Sequence, residues 1–180
     1  MAALDIVNKS CRAFFDHWCA LPRRPGLAAP HADDYLDHAP AALMPGVFIH
    51  DVLTDDLIVR FMGTELVNRW RRDDTGKVFG ESLDKAARAR LVFIGKTVTE
   101  FPCGMLQHGV MATTAGREAI FEAILLPLEV GPGRVKRMVI FSGLLNTFAR
   151  DEHGKQFAKA GKRCWLDVGS GVPSLAPPPE

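Results

Sequence analysis

Apolar side chains open the chain at helical spacing. Leu4, Val7, Cys11, Phe14, Trp18 and Leu21 alternate steps of three and four, which puts them on one stripe with a heptad-like seam. Pro22 and Pro25 end this helix, because proline removes a donor and clashes with the preceding turn. HADDYLDHAPAALM, from His31, predicts one short helix broken at Pro40. After Pro45-Gly46 the period falls to two. Val47, Ile49 and Leu53 alternate on one segment, and Leu57, Val59 and Phe61 on the next, across the turn Thr54-Asp55-Asp56. This predicts a β-hairpin with one apolar side, His50 and Arg60 falling on the other. Gly63-Thr64 hands the second strand over to a short helix. Gly63 is expected in a backbone geometry that β-branched residues resist, and Thr64 as the N-cap. Thr75-Gly76 reads as a turn between short helices. A longer helix is predicted from Ser82 to Phe101, with a stripe of Ala87, Leu91, Ile94, Val98 and Phe101, stopped by Pro102. Three strands follow, at 104–114, 118–130 and 135–147, joined by short glycine-bearing connections. The tail ends GVPSLAPPPE, a composition expected to stay disordered. The pattern predicts an α+β fold. It divides into an N-terminal helical extension (1–45), a five-stranded antiparallel sheet with helices on one face (46–148) and a C-terminal tail (149–180).

Two strands, a run of short helices, one longer helix and three strands is the order of the PAS-domain superfamily, which the chain resembles. More narrowly it resembles small stand-alone bacterial PAS proteins. In that subtype a Trp and a Pro-x-Arg element precede the sheet, here Trp18, Pro22 and Arg24. Arg-x-x-Gly-Thr ends the second strand, here Arg60, Gly63 and Thr64, and a Thr-Gly turn follows at Thr75 and Gly76. The resemblance spans about residues 10–148. It implies a ligand pocket between the inner sheet face and the helical middle, lined by Ile49, Phe61, Leu66, Trp70, Phe79, Leu91, Ile94, Met111 and Phe141. It also implies a role in bacterial signal transduction as a sensor or protein-interaction module. The implied partner is a histidine kinase or another signalling protein, and the implied ligand small and apolar. The N-terminal stripe is short for a self-sufficient coiled coil. It makes Val7, Cys11, Phe14 and Trp18 candidates for a homodimer contact over the outer sheet face.

Composition narrows the chemistry. With 180 residues, 47% of them hydrophobic, the chain can bury one ordinary core. Its 22 basic and 21 acidic residues leave a net charge of +1, which gives no general attraction to nucleic acid or anionic membranes. Arg69, Arg71 and Arg72 around Trp70 therefore read as a solvated helix end, partly paired with Asp73 and Asp74. Thr75-Gly76-Lys77 lacks the Gly-x-x-x-x-Gly-Lys-Ser/Thr spacing of a phosphate loop. No apolar run approaches the ~18 residues of a membrane span. The N-terminus lacks the apolar core of a signal peptide, so a cytoplasmic protein is expected.

Cys11, Cys19, Cys103 and Cys164 are scattered, with neither a paired-cysteine zinc motif nor a disulfide framework. His31, Asp34 and His38 fall at i, i+3 and i+7 and are the only metal candidates, crowded between Pro30 and Pro40; no metal is assigned. His50 and His108 are candidate haem ligands, although the long helix that would carry such a ligand in PAS proteins has no histidine. Residues 64–101 contain no cysteine, which argues against covalent flavin photochemistry. Cys103 has no positioned base. No cofactor is named, and none is expected to be covalently bound. No catalytic constellation stands out, so an enzyme is not expected. Two further readings stand beside the sensor: a metal- or haem-dependent redox protein or enzyme, and a ligand-free dimeric adaptor.

Overall fold

The computed structural model describes residues 5–113, 118–146 and 156–178. Leu4, the Ala115–Arg117 connection and the boundary at 148–149 lie outside them. The helices are α1 (Lys9–Ala20), α2 (Ala32–Asp37), α3 (Thr64–Trp70) and α4 (Lys85–Glu100). The strands are β1 (Val47–Val52), β2 (Leu57–Met62), β3 (Gly104–Thr113), β4 (Glu118–Leu128), β5 (Lys136–Leu144) and β6 (Gln156–Leu166). From β1 to β5 the elements follow the order predicted from the sequence. All six strands form one antiparallel sheet in the order β2-β1-β5-β4-β3-β6. The protein is therefore α+β, with a sheet one strand wider than expected. The extra strand, β6, comes from the tail that composition predicts to be disordered. Its pairing with β3 supplies the main-chain hydrogen bonds that isolated polar residues lack.

Both faces of the sheet are covered. On the outer face, Cys11, Phe14 and Trp18 of α1 and Tyr35 of α2 pack onto Val47, Ile49, Ile124, Leu126, Val139 and Phe141. On the inner face, Leu66 of α3 and Ile94 and Val98 of α4 pack onto Phe48, Val52, Leu125, Met138 and Ile140. This explains why β4 and β5 read as continuous apolar runs: with both faces buried, alternation disappears.

The first hairpin departs from simple alternation. Ile49 pairs with Phe61, but His50 pairs with Val59, so Arg60 is an extra, bulged residue. Leu57 and Val59 face inward while Phe61 joins the outer cluster. The single apolar side drawn from period two breaks at that bulge. His50 does lie opposite Ile49, on a side that is buried rather than solvated.

Gly63, not Thr64, is the N-cap of α3, with an ordinary φ of −65°. Its requirement is closeness: a Cβ there would stand 2.3 Å from the carbonyl oxygens of both Met44 and Pro45. Thr75-Gly76 is a turn, with Gly76 at φ +82°, but it leads back to the sheet rather than into another helix. Gly76 N–H donates to Val59 (2.7 Å) and Phe79 N–H to Leu57 (2.7 Å), laying residues 76–79 along the edge of β2. Among the described residues, no helix is long and apolar enough to cross a membrane.

Candidate functional site

β1 carries Phe48, His50 and Val52 to the inner face by period two. The edge segment after Thr75 brings Phe79 over the same place. The His50 ring is wholly buried, 4.6 Å from the Phe79 ring and 5.4 Å from that of Phe48, centroid to centroid. Among the described residues, neither Nδ1 nor Nε2 has a hydrogen-bond partner. Burial pushes its pKa down from 6.5 to about 3, because an imidazolium here would be stripped of water with no anion beside it. The ring is therefore neutral near pH 7, with one N–H donor and one lone pair both unspent. Met62, Met105, Met111 and Met138 belong to the surrounding cluster. Thioether side chains adapt to changes of shape better than branched ones.

Of the nine predicted lining residues, Leu66, Ile94 and Met111 are buried in this inner cluster, with Trp70, Phe79 and Leu91 packed half-buried against it. Ile49, Phe61 and Phe141 lie on the outer face instead. Strand parity puts Ile49 and Phe141 there, and the Arg60 bulge puts Phe61 there. His50 itself is the residue that sequence reasoning passed over as a pocket group. Its signal was a histidine at the same parity as Phe48 and Val52, which marks a face too apolar for an exposed imidazole.

On the outer face a second polar cluster is fully spent. Glu122 is wholly buried and accepts from the backbone N–H groups of Val7 (2.9 Å) and Asn8 (3.0 Å), while His108 Nε2 lies 2.8 Å from its Oε2. Asn8 caps α1, its side-chain oxygen accepting from Ser10 and Cys11 N–H. An acidic side chain at a helix N-terminus meets unpaired N–H groups and the positive end of the helix dipole. Gly143, opposite Glu122 in the ladder, leaves room for the cap: a Cβ there would lie 2.7 Å from the Asn8 side chain. Burial and the nearby Glu122 charge push the Cys11 thiol far up, so it stays protonated and inert.

Cys11, Phe14 and Trp18 are wholly enclosed by their own chain. As folded they have no surface to offer a second copy; of the proposed dimer contacts only Val7 is exposed. Trp18 Nε1–H donates to the Pro127 carbonyl (3.0 Å), and the Arg23 guanidinium lies 4.5 Å above the Trp18 ring. Arg24 grips Asp34 with two hydrogen bonds of 2.8 and 2.7 Å, tying the exit of α1 to α2.

That grip also answers the metal candidates. α2 is only six residues long; His31 caps its start, His38 Nδ1 meets the Asp34 carbonyl at its end, and the Asp34 carboxylate belongs to Arg24. The three side chains are not brought together. The arginine cluster also divides. Arg69 turns inward to the Ser142 carbonyl and hydroxyl and pairs with Glu65, whereas Arg72 pairs with Asp74 at 2.7 Å. Cys103 is buried, its thiol pushed up to about 11 by desolvation.

Two other buried polar atoms lack partners, the Tyr35 hydroxyl and His17 Nε2, where α1 meets α2. Their rings sit 6.2 Å apart. His50 differs in having both ring atoms unspent, beneath a segment held to the sheet edge by main-chain bonds.

The described chain is thus an antiparallel-sheet protein with a neutral, unsatisfied imidazole beneath its helical cover. It is similar to the PAS domain of an HTR-like protein from Haloarcula marismortui, at a TM-score of 0.40 and 13% identity, over 63% of this chain and 93% of that one. No family model matches the chain, and no curated protein does.

Proposed function

We propose that the protein is a non-enzymatic PAS-like sensory module. Its inner face takes a small, largely apolar ligand with one polar edge. The ligand changes how the protein meets a signalling partner such as a histidine kinase. The observation that carries this reading is His50. A buried donor or acceptor left unmade costs about 1–3 kcal/mol, and this ring leaves both unmade. A ligand offering a matched acceptor and donor would recover that cost inside a site whose other contacts are Phe48, Phe79 and methionines. Entry requires Phe79 to swing out, which the edge pairing of residues 76–79 permits without disturbing the sheet interior. Population of the open form would then depend on the ligand.

The redox alternative draws on His31, Asp34, His38 and His108, each of which already makes protein contacts, and on His50 as a haem ligand, whose ring is closed in by Phe48 and Phe79. The test is titration of the full chain with planar heteroaromatic compounds carrying one donor and one acceptor, followed by the ring nitrogen shifts of His50. Saturable shifts of the His50 nitrogens in wild type, with a ligand-induced gain in melting temperature that disappears in a folded His50→Leu variant, support the reading. A panel that stabilises wild type and His50→Leu equally, or neither, removes it. Affinity capture with mass spectrometry then identifies the partner.

A further inference from the structure

The C-terminal segment, expected to be loose, is seated on the inner side of the β3–β6 edge. Asp167 accepts from the N–H groups of Gly169 (2.8 Å) and Gly171 (2.9 Å), making a turn that sends the chain back over β6. Two donors of β6 then hold it. Trp165 Nε1–H donates to the Leu175 carbonyl at 2.8 Å, and Arg163 Nη1–H to the Pro178 carbonyl at 2.7 Å. Trp165 packs against the inner cluster beside its pairing partner Met105. Gln107 Oε1 accepts from Arg163 Nε at 3.0 Å and orients the guanidinium.

Three features of this contact go together. The two accepting carbonyls are three residues apart, the repeat of a polyproline II helix, whose carbonyls recur on one side every third residue. The segment between them reads Leu-Ala-Pro-Pro, rich in the residue that stiffens that conformation. Leu175 contributes little burial, at 66% exposed, while Pro177 and Pro178 are half-buried. The hold is therefore through main-chain carbonyls onto an indole and a guanidinium, the mode by which aromatic grooves read proline-rich peptides. Beside it lies a cleft of about 1000 Å³, walled on one side by Val92 and Phe93 of α4 and its C-cap Phe101, and on the other by Pro173 of the tail itself.

We infer that the Arg163–Trp165 edge is a docking platform for an extended proline-rich peptide, which residues 172–178 of the same chain occupy in the free protein. An incoming proline-rich segment displaces the tail, takes over both donors and gains the apolar wall of α4 once Pro173 leaves.

The experiment compares two full-length proteins, wild type and a released variant carrying Val172→Gly, Pro173→Ser, Leu175→Gly, Pro177→Ser and Pro178→Gly. The probe is an acetylated peptide copying residues 171–179. A short tether gives the tail an effective concentration of the order of millimolar, so the released variant should bind the peptide at least about tenfold more tightly than wild type. Adding Trp165→Phe to the released variant, which keeps an aromatic side chain and deletes the indole N–H, should abolish that binding while the variant stays folded. In wild type alone, the Trp165 indole proton should exchange more slowly than in the released variant. Equal affinity in the two proteins, no binding to the released variant, binding that survives Trp165→Phe, or equal indole exchange would each overturn the inference.

Discussion

On the outer face of the sheet Glu122 receives three polar contacts, from Val7, Asn8 and His108; on the inner face His50 receives none. Both groups are wholly buried and both sit mid-sheet. The difference separates a group that fastens from one that is unspent. A carboxylate whose contacts are all spent can only hold α1 in place, and the aromatic wedge of Phe14 stacked 5.5 Å from Phe141 completes that joint. An imidazole with nothing spent is a local cost carried by the fold, and such costs concentrate where a partner is to arrive.

The strongest way to break the contrast is on the fastened side. Phe14→Glu should abolish cooperative folding, since it places an unpaired carboxylate in a closed apolar joint, at a cost above about 4 kcal/mol. A folded monomer by sedimentation and circular dichroism would instead restore α1 as an exchangeable contact. Glu122→Ala should lower stability by about 3–5 kcal/mol in denaturant melts, leaving the N–H groups of Val7 and Asn8 and the His108 ring without their buried acceptor. A loss under about 1 kcal/mol would show that α1 docks by apolar contact alone. Gly63→Ala, a single methyl set against two carbonyl oxygens, should cost about 2–4 kcal/mol, and an unchanged melt would mean that the Met44–Gly46 turn yields.

On the unspent side the sign should reverse. His50→Leu should be neutral or stabilising by about 1–2 kcal/mol, since it deletes two unmade hydrogen bonds. The pH dependence sharpens this. The folded pKa of about 3 lies below the ordinary 6.5, so the unfolded chain binds the proton first as pH falls. The His50 contribution is intact above pH 6.5 and is lost toward pH 3, at up to about 1.4 kcal/mol per pH unit. Wild type should therefore lose stability over that window more steeply than His50→Leu; parallel curves would mean that water reaches the ring. The smallest effect belongs to Arg72→Ala, an exposed pair with Asp74, expected to stay within about 0.5 kcal/mol and to leave DNA binding negligible at physiological salt. Salt-sensitive submicromolar DNA binding that this substitution weakens would contradict it.

Local chemistry was enough for the element order. The Cys11–Trp18 part of the N-terminal stripe, the Pro102 stop, the glycine-bearing connection between β4 and β5 and the continuous apolar runs of both strands are each set by residues within a few positions of one another and appear where the pattern puts them, whereas Val7, predicted on the same helix, lies before its start at Lys9. Three of the nine predicted lining residues went to the other face: Ile49 and Phe141 by strand parity, and Phe61 because the bulge at Arg60, which nothing nearby announces, reverses the strand beyond it. The metal spacing of His31, Asp34 and His38 was real in sequence and empty of consequence in space, since Arg24 reached Asp34 first.

What lay beyond sequence alone was every relation between distant segments. A tail poor in apolar residues becomes a sixth strand because the open edge of β3 offers it hydrogen bonds. An amphipathic helix offered as a dimer contact is buried in its own domain, with Glu122, more than a hundred residues away, meeting its N-terminus. A histidine of ordinary appearance becomes neutral because Phe79 and the helical cover close over it. Periodicity and capping act within a turn or a strand and are written in neighbouring letters; desolvation and edge pairing depend on which remote surfaces meet, and only the folded chain decides that.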